Sequence, residues 1–458
     1  MNERFEILES TLLSLLKAKK YSTLRDILVT MNPNDIAQVM GGLDDERIPL
    51  LFRLLPKELA AETFVEMDTD AQEMLIIGFS DTELKEIVDE LYVDDAADLV
   101  EEMPANVVRR ILKQATPEMR NSINQILRYP ENSAGSIMTT EYVGLRPEMT
   151  VGESLKAIRR KGVDKETIYT CYVTENRTLI GVVSVKDLLL AANDDVVISD
   201  IMLRNIISVN TQTDREEVAR MLSKYGFLAM PVVDSDNRMV GIVTFDDAMT
   251  VLQEEVTEDI EIMAGMTPSE ESYLKTTPWE MFKNRFPWLL LLMVSATFTG
   301  MIITSFESAL AQVVVLTAFI PMLMGTGGNS GSQSSVTVIR ALSLGELKFS
   351  DMGTVIWKEL RTSLLCGVVL GVACFGKVML VDNLLMGNAD VSMWIALVVS
   401  LALVVTVILA KLVGCVLPLF AKKLGFDPAV MASPFITTIV DALSLLIYFM
   451  FATMILHL

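Results

Sequence analysis

Two aspartates stand in apolar sequence near the C-terminus: Asp441, inside "PFITTIVDALSLLIYF", and Asp427, in "FDPAV". A carboxylate at mid-membrane costs ~2.5–3.5 kcal/mol on insertion scales, so it should face protein or water and have a partner. Lys411 is one candidate partner, in a purely structural pair. The chain has one histidine, His457, and four scattered cysteines (Cys171, Cys366, Cys374, Cys415) with no CxxC pair. Imidazole metal sites, histidine acid–base catalysis, thiolate zinc and a disulfide frame are therefore poor fits. Carboxylates that handle a metal here would hold a hard cation through oxygen. More carboxylates recur at helical spacing in "TVLQEEVTEDIEIMAGM" (250–266), where Glu254, Glu255, Glu258, Asp259 and Glu261 fall largely on one face. Such a run is ordinarily a solvated face. Asp94, Asp95 and Asp98 form another group, and Asp246 and Asp247 a third.

The charge is unevenly spread. Of 59 acidic and 38 basic residues, eight of each lie in 286–458, so the whole net charge of −21 belongs to 1–285. The C-terminal part is apolar enough to cross a membrane. Runs at 287–306, 308–339, 362–381, 391–410 and 428–456 approach or exceed the ~20 residues a spanning helix needs, which predicts five transmembrane helices. Basic residues concentrate before the first run (Lys283, Arg285), after the second (Arg340, Lys348, Lys358, Arg361) and after the fourth (Lys422, Lys423). That bias places the N-terminal part in the cytoplasm and the C-terminus outside. The start, "MNERFEILES", has no apolar core of signal-peptide type.

Residues 1–130 read as helices throughout, with apolar residues three and four apart. "LLPKELAAE" (54–62) and "EEMPANVVRR" (101–110) share a proline followed by an amphipathic start, which points to a superhelical array of helix pairs or to an ordinary bundle. Residues 137–252 contain a duplication. "IMTTEYVGLRPEMTVGESLKAIRRKG" from Ile137 parallels "IMLRNIISVNTQTDREEVARMLSKYG" from Ile201, and "LIGVVSVKDLLL" parallels "MVGIVTFDDAMT". Each copy predicts strand, helix, a strand pair and a helix started by an aspartate. The duplication resembles a tandem of cystathionine-β-synthase-type (CBS) modules, which implies clefts for adenine nucleotides such as ATP. The matching residues are Ser184 and Asp187, and Thr244 and Asp247. A hydroxyl and helix-start amides can hold phosphate oxygens, and an aspartate can accept from ribose hydroxyls. Ser184 and Thr244 equally suit plain N-caps.

Three further stretches carry a wider resemblance: "YPENSAGSIMT" (129–139), "GTGGNSGSQSS" (325–335) and "FDPAVMASPFITTIVDALSLLIYF" (426–449). With the order of domains, they make the whole chain resemble the MgtE family of bacterial magnesium channels. The fold class this implies is multidomain: an all-α superhelical N-domain (1–130), α/β tandem CBS modules (131–250), an acidic connecting, plug-like helix (251–275), and a five-helix membrane domain (276–458). The resemblance implies a homodimer in the inner membrane with the ion path between subunits. It implies no nucleic-acid partner and no enzymatic activity, and the sequence has no P-loop or phosphorylation-type aspartate motif. Two copies of Asp441 facing one another would form an acidic ring that a divalent cation neutralises. Asp427 is either an entry site or an N-cap. A helix interrupted at Gly325, Gly327, Gly328 and Gly331 would bring backbones close or expose carbonyls; tight helix packing is the other reading. Gly325, Gly328, Asn329 and Thr437 are pore-lining candidates. The acids Asp94, Asp95, Asp98, Asp246, Asp247, Glu254, Glu255, Glu258 and Asp259 are candidates to bind regulatory Mg2+. A transporter of Co2+ or Mn2+ and a membrane-anchored nucleotide sensor are the alternatives.

Overall fold

The structure, a computed structural model, describes residues 2–269, 273, 276–388, 390–431 and 433–457. The end of the expected connecting segment, at 270–272 and 274–275, lies outside the described residues. The chain forms two compact units, Met1–Leu252 and Gln253–Leu458.

Residues 2–126 form short helices, begun by local signals. Asp68 and Thr116 accept from backbone N–H groups of Ala71 and Met119, and Ser80 forms a capping box with Glu83. Alternate helices pack side by side: Pro33–Gly41 on Lys57–Val65, that on Asp81–Val88, and that on Ala105–Gln114. This layering is the stacked array of helix pairs, around a core that includes Leu24, Ile36, Phe64, Leu75 and Ile111. Of the two sequence expectations, the superhelical array is the one observed.

The duplication gives two sheets of one topology. In the first, β1 (Tyr142–Leu145) runs parallel to β2 (Thr167–Glu175), which pairs antiparallel with β3 (Thr178–Ser184). In the second, β4 (Val209–Asn210), β5 (Ala229–Val233) and β6 (Met239–Thr244) repeat this order. The modules exchange backbone bonds symmetrically. Thr139, which leads into the first module, pairs with Ile242 on β6; Leu203, its counterpart, pairs with Val182 on β3. Glycine permits both crossings. A Cβ on Gly241 would lie 2.5 Å from the Thr139 carbonyl oxygen, and one on Gly181 would strike Met202. Because the obstacle at Gly241 is backbone, Gly241→Ala should destabilise the tandem by about 1–3 kcal/mol, as for other overpacked sites. Differential scanning calorimetry of the purified protein would show it as a lowered transition.

Among the described residues of the second unit, four helices are long and apolar enough to cross a membrane: Pro278–Ser305, Phe349–Leu385, Met393–Lys423 and Pro428–Leu456. The sequence predicts five. The remaining segment, 308–339, is broken by a 3-10 stretch (Val314–Phe319) and continues as one helix, Ile320–Ser343. That helix has spanning length, about 36 Å at 1.5 Å per residue, but its glycines, serines, Asn329 and Gln333 dilute its apolarity.

The expected interruption at Gly325–Gly331 is absent: the helix runs through it unbroken. Gly327, Gly328 and Gly331 serve packing instead, while Gly325 stays exposed. Added Cβ atoms at Gly327 would lie 2.8 Å from Thr406 and Ser444, and at Gly331 2.8 Å from Ile436. Gly414 meets the Gly331 backbone so closely that any side chain would collide with its carbonyl. Small residues thus bring two helices, Met393–Lys423 and Ser433–Leu456, close against Ile320–Ser343, which is the packing reading.

Candidate functional site

Asp441 projects from Ser433–Leu456 and is partly exposed. Among the described residues it makes no hydrogen bond and no ion pair. Lys411 is buried on Met393–Lys423 and likewise forms no ion pair, so the structural pair with Asp441 is not formed. Thr437, one turn before Asp441, packs its methyl on Gly328, where an added Cβ would come within 3.0 Å. Gly328 is therefore buried in a helix contact. Its neighbours are open: Gly325 and Asn329 are exposed, as are Gln333 and Thr337 at the same four-residue spacing. Through the Gly328–Thr437 contact, the helix that carries this stripe packs on the one that carries Asp441. Gln333 was legible from its spacing to Asn329, but the composition of the stretch drew attention to its glycines.

Asp427 acts as a cap: its Oδ1 accepts from the Ala429 N–H at 2.8 Å, at the start of the turn Pro428–Met431. It also lies near Asp259 of the helix Phe245–Met263. Burial, and then the Asp427 charge, push the Asp259 carboxyl up to about 6, while a hydrogen bond from Ser343 (3.4 Å) opposes the rise. Gly265, just past that helix, packs on Pro434. Glu254, Glu255 and Glu258 share the helix with Asp259.

A second acidic cluster forms inside the first unit, where the N-domain helix Val93–Glu102 meets both modules. Asp94 is buried, and Asp95 is half-buried. Burial, then the charges of Asp247 and Glu66, push Asp95 up to about 7. Asp94 is driven well above the carboxylate range by burial and by Asp247. Burial, then Asp247 and Asp95, raise Glu166 to about 8. Asp247 is raised by burial against the lowering effect of its 2.5 Å bond from Thr244. Asp98 and Asp246 sit at the exposed edge. Among the described residues, Asp94, Asp95, Glu166 and Asp247 have no ion-pair partner, and Asp94 Oδ1 and Glu166 Oε2 are buried without a hydrogen bond. Buried carboxylates normally have cationic or N–H partners. No three of them converge tightly enough to chelate a bare ion among the described residues. Glu141 and Glu166 belong to this cluster and were not legible in sequence: each stands alone before a strand, outside any periodic run.

The two hydroxyl–aspartate pairs are both helix caps. Ser184 Oγ accepts from the Asp187 N–H at 3.1 Å and donates to its carboxylate at 2.6 Å; Thr244 and Asp247 repeat the arrangement at 3.5 and 2.5 Å. Their surroundings differ. Asp247 faces the carboxylate cluster, a setting that repels phosphate. Asp187 is exposed beside Lys186, and Tyr169 on β2, one residue before the Thr170 that pairs with Ser184, is 66% exposed. The first pair thus has an exposed cation within it and an exposed aromatic ring on the neighbouring strand.

Family models match most of the chain. One described as a divalent cation transporter matches residues 320–451, one described as the MgtE intracellular N domain matches 31–132, and the CBS domain matches 134–194 and 198–254. The chain is 36% identical over 439 residues to the magnesium transporter MgtE of Thermus thermophilus, covering 95% of each. It is 32% identical over 457 residues to that of Bacillus subtilis, covering 100% of this chain and 99% of the relative. A crystal structure of the cytosolic domain of the Mg2+ channel MgtE in complex with ATP matches with a TM-score of 0.51 and 36% identity, over 53% of this chain and 99% of that one.

Proposed function

The chain belongs to the MgtE family of magnesium transporters, and on that premise we propose that it is a magnesium-selective channel, carrying Mg2+ inward down its electrochemical gradient and closed by cytosolic Mg2+. It is a multi-pass membrane protein; in our reading it works as a homodimer in the inner membrane, N-terminus inside and C-terminus outside. Ile320–Ser343 is the fifth span. The observation that carries this reading is Asp441: an intramembrane carboxylate with no partner among the described residues, one turn after the Thr437 that packs on Gly328 in the helix bearing the exposed polar stripe Gly325–Asn329–Gln333–Thr337. Polar surface at membrane depth has to meet protein or water. A second copy across a water-filled path supplies both.

Magnesium gives up its inner waters reluctantly, so the permeating species is the hydrated ion. Asp441 then acts through those waters by charge and hydrogen bonds, in a path sized to the hydrate. The regulatory ions bind the two acidic clusters, also largely through water. Uptake into proteoliposomes tests the proposal. Mg2+ entry should rise with an inside-negative potential and exceed Co2+ and Mn2+ entry. Uptake indifferent to potential, or equal for all three ions, would replace the channel with a coupled or unselective carrier.

The cytosolic half also binds an adenine nucleotide, at Ser184 and Asp187. Lys186 is placed for the phosphates, Tyr169 for the base, and Asp187 for the ribose hydroxyls. Calorimetry with ATP should show one site, weakened at least about tenfold by Asp187→Ala, the equivalent of about 1.4 kcal/mol. Asp247→Ala should leave it intact.

A further inference from the structure

A second cleft in the first unit has the opposite electrostatic character to the carboxylate cluster. It is a half-open space of about 330 Å3 between the N-domain helix Pro117–Ile126 and the strands of both modules. Ser122 and Gln125, three residues apart on one helix face, form one wall; Thr140, Tyr142, Thr174 and Arg177 form the other. Met239 and Val240 supply an apolar side. Hydroxyls, an amide and a guanidinium therefore converge on one space, at the small end of the volumes that hold ligands.

Arg177 is conspicuous for its backbone. Asn176 and Arg177 are the central residues of the β2–β3 hairpin, with φ of +51° and +70°. A two-residue turn of this kind favours Asn followed by Gly, so an arginine at the second position is strained where glycine would not be. In the second module the corresponding turn places Asn237 in the left-handed region instead. The Arg177 carbonyl accepts from the Met239 N–H at 2.8 Å, which fixes the turn to the second module. Its side chain makes no hydrogen bond and no ion pair among the described residues. Strain at a residue that packing does not require is an observation from which function can be inferred. Tyr142 senses the same charge: burial raises its phenol pKa and Arg177 draws it down. In a half-molecule with a large excess of acids, this wall carries an uncompensated positive charge.

We propose that this cleft binds a small phosphate monoester of a polyol or sugar, with Arg177 on the phosphate and the side chains of Ser122, Gln125, Thr140, Tyr142 and Thr174 on the hydroxyls. The guanidinium offers several N–H donors in a fork that suits phosphate oxygens. Met239 and Val240 cover the carbon skeleton. The site is distinct from the nucleotide cleft at Ser184 and Asp187. Its walls come from the N-domain and both modules, so an occupant ties the three together.

Hydrogen exchange of the full-length protein in detergent tests this, with glycerol 3-phosphate as the probe and glycerol and inorganic phosphate as comparisons. Glycerol 3-phosphate at up to about 10 mM should slow exchange in segments 117–126 and 172–179 in a saturable way, a range that captures Kd values near 1 mM. Glycerol should do nothing, and inorganic phosphate should bind at least about tenfold more weakly. Arg177→Gly, which suits the left-handed position and keeps the hairpin, should abolish the effect; Asp187→Ala should weaken ATP binding and leave it. Absence of protection, equal protection in Arg177→Gly, or inorganic phosphate binding as tightly as the ester would each overturn the assignment.

Discussion

Replacing Asp441 with alanine is expected to abolish magnesium uptake while leaving the protein at least as stable as the parent. The two halves of this expectation have one cause. An intramembrane carboxylate without a partner costs ~2.5–3.5 kcal/mol, which the substitution relieves. The same charge, at about 4 Å from a divalent ion reached through water, is worth several kcal/mol at an effective dielectric near 20. Losing even a third of that slows entry by at least about tenfold. Asp441→Asn should behave like the alanine variant, because an amide keeps the shape and loses the charge. Uptake in proteoliposomes and a thermal melt of the same preparation measure both halves. Reduced uptake together with reduced stability would mean a structural role. Undiminished uptake would remove Asp441 from the path.

Acid should imitate magnesium in the N-terminal unit. Asp95 (about 7), Glu166 (about 8), and Asp94 and Asp247, both raised, are carboxyls whose burial and mutual repulsion favour the protonated form when the N-domain is docked on the modules. The sign follows from linkage. A group with a raised pKa in the docked state takes up protons on docking, so docking strengthens as pH falls through 8 and 7 toward the ordinary carboxylate range. A carboxyl moved from 3.8 to about 7 carries about 4 kcal/mol. A swing from mostly open to mostly closed takes about 5.5 kcal/mol, so more than one group or ion has to act. Limited proteolysis at pH 8 without magnesium should cut the protein readily. Millimolar magnesium, or pH 6 without it, should protect it. Asp95→Asn with Asp247→Asn should be protected at every magnesium concentration, since the repulsion that magnesium offsets is gone. Cleavage independent of both magnesium and pH would leave these acids as solvated surface.

The sheets were legible because "LIGVVSVKDLLL" and "MVGIVTFDDAMT" are copies, and local alternation specifies strands. The capping roles of Ser184, Thr244 and Asp427 were legible because an N-cap is a local interaction. What failed depended on partners remote in sequence. The glycine run of 325–331 read as a possible break, yet Thr406, Ser444 and Ile436, which lie 75 or more residues later, hold it in a continuous helix. Lys411 was a candidate partner for Asp441 by charge alone, but neither residue forms an ion pair among the described residues. Glu141 and Glu166 carry no pattern of their own and join Asp94, Asp95 and Asp247 only through the docking of three domains. The arginine at position 177 is marked out by its left-handed φ, which no sequence pattern carries.

The most direct test of magnesium-controlled permeation is flux through reconstituted protein at fixed potential while magnesium on the side of the N-terminal unit is stepped from zero to several millimolar. The account predicts a steep, cooperative fall in flux over that range, lost in the Asp95→Asn, Asp247→Asn variant and reproduced by lowering the pH of that side to 6. A flux that stays constant across the magnesium steps would contradict it.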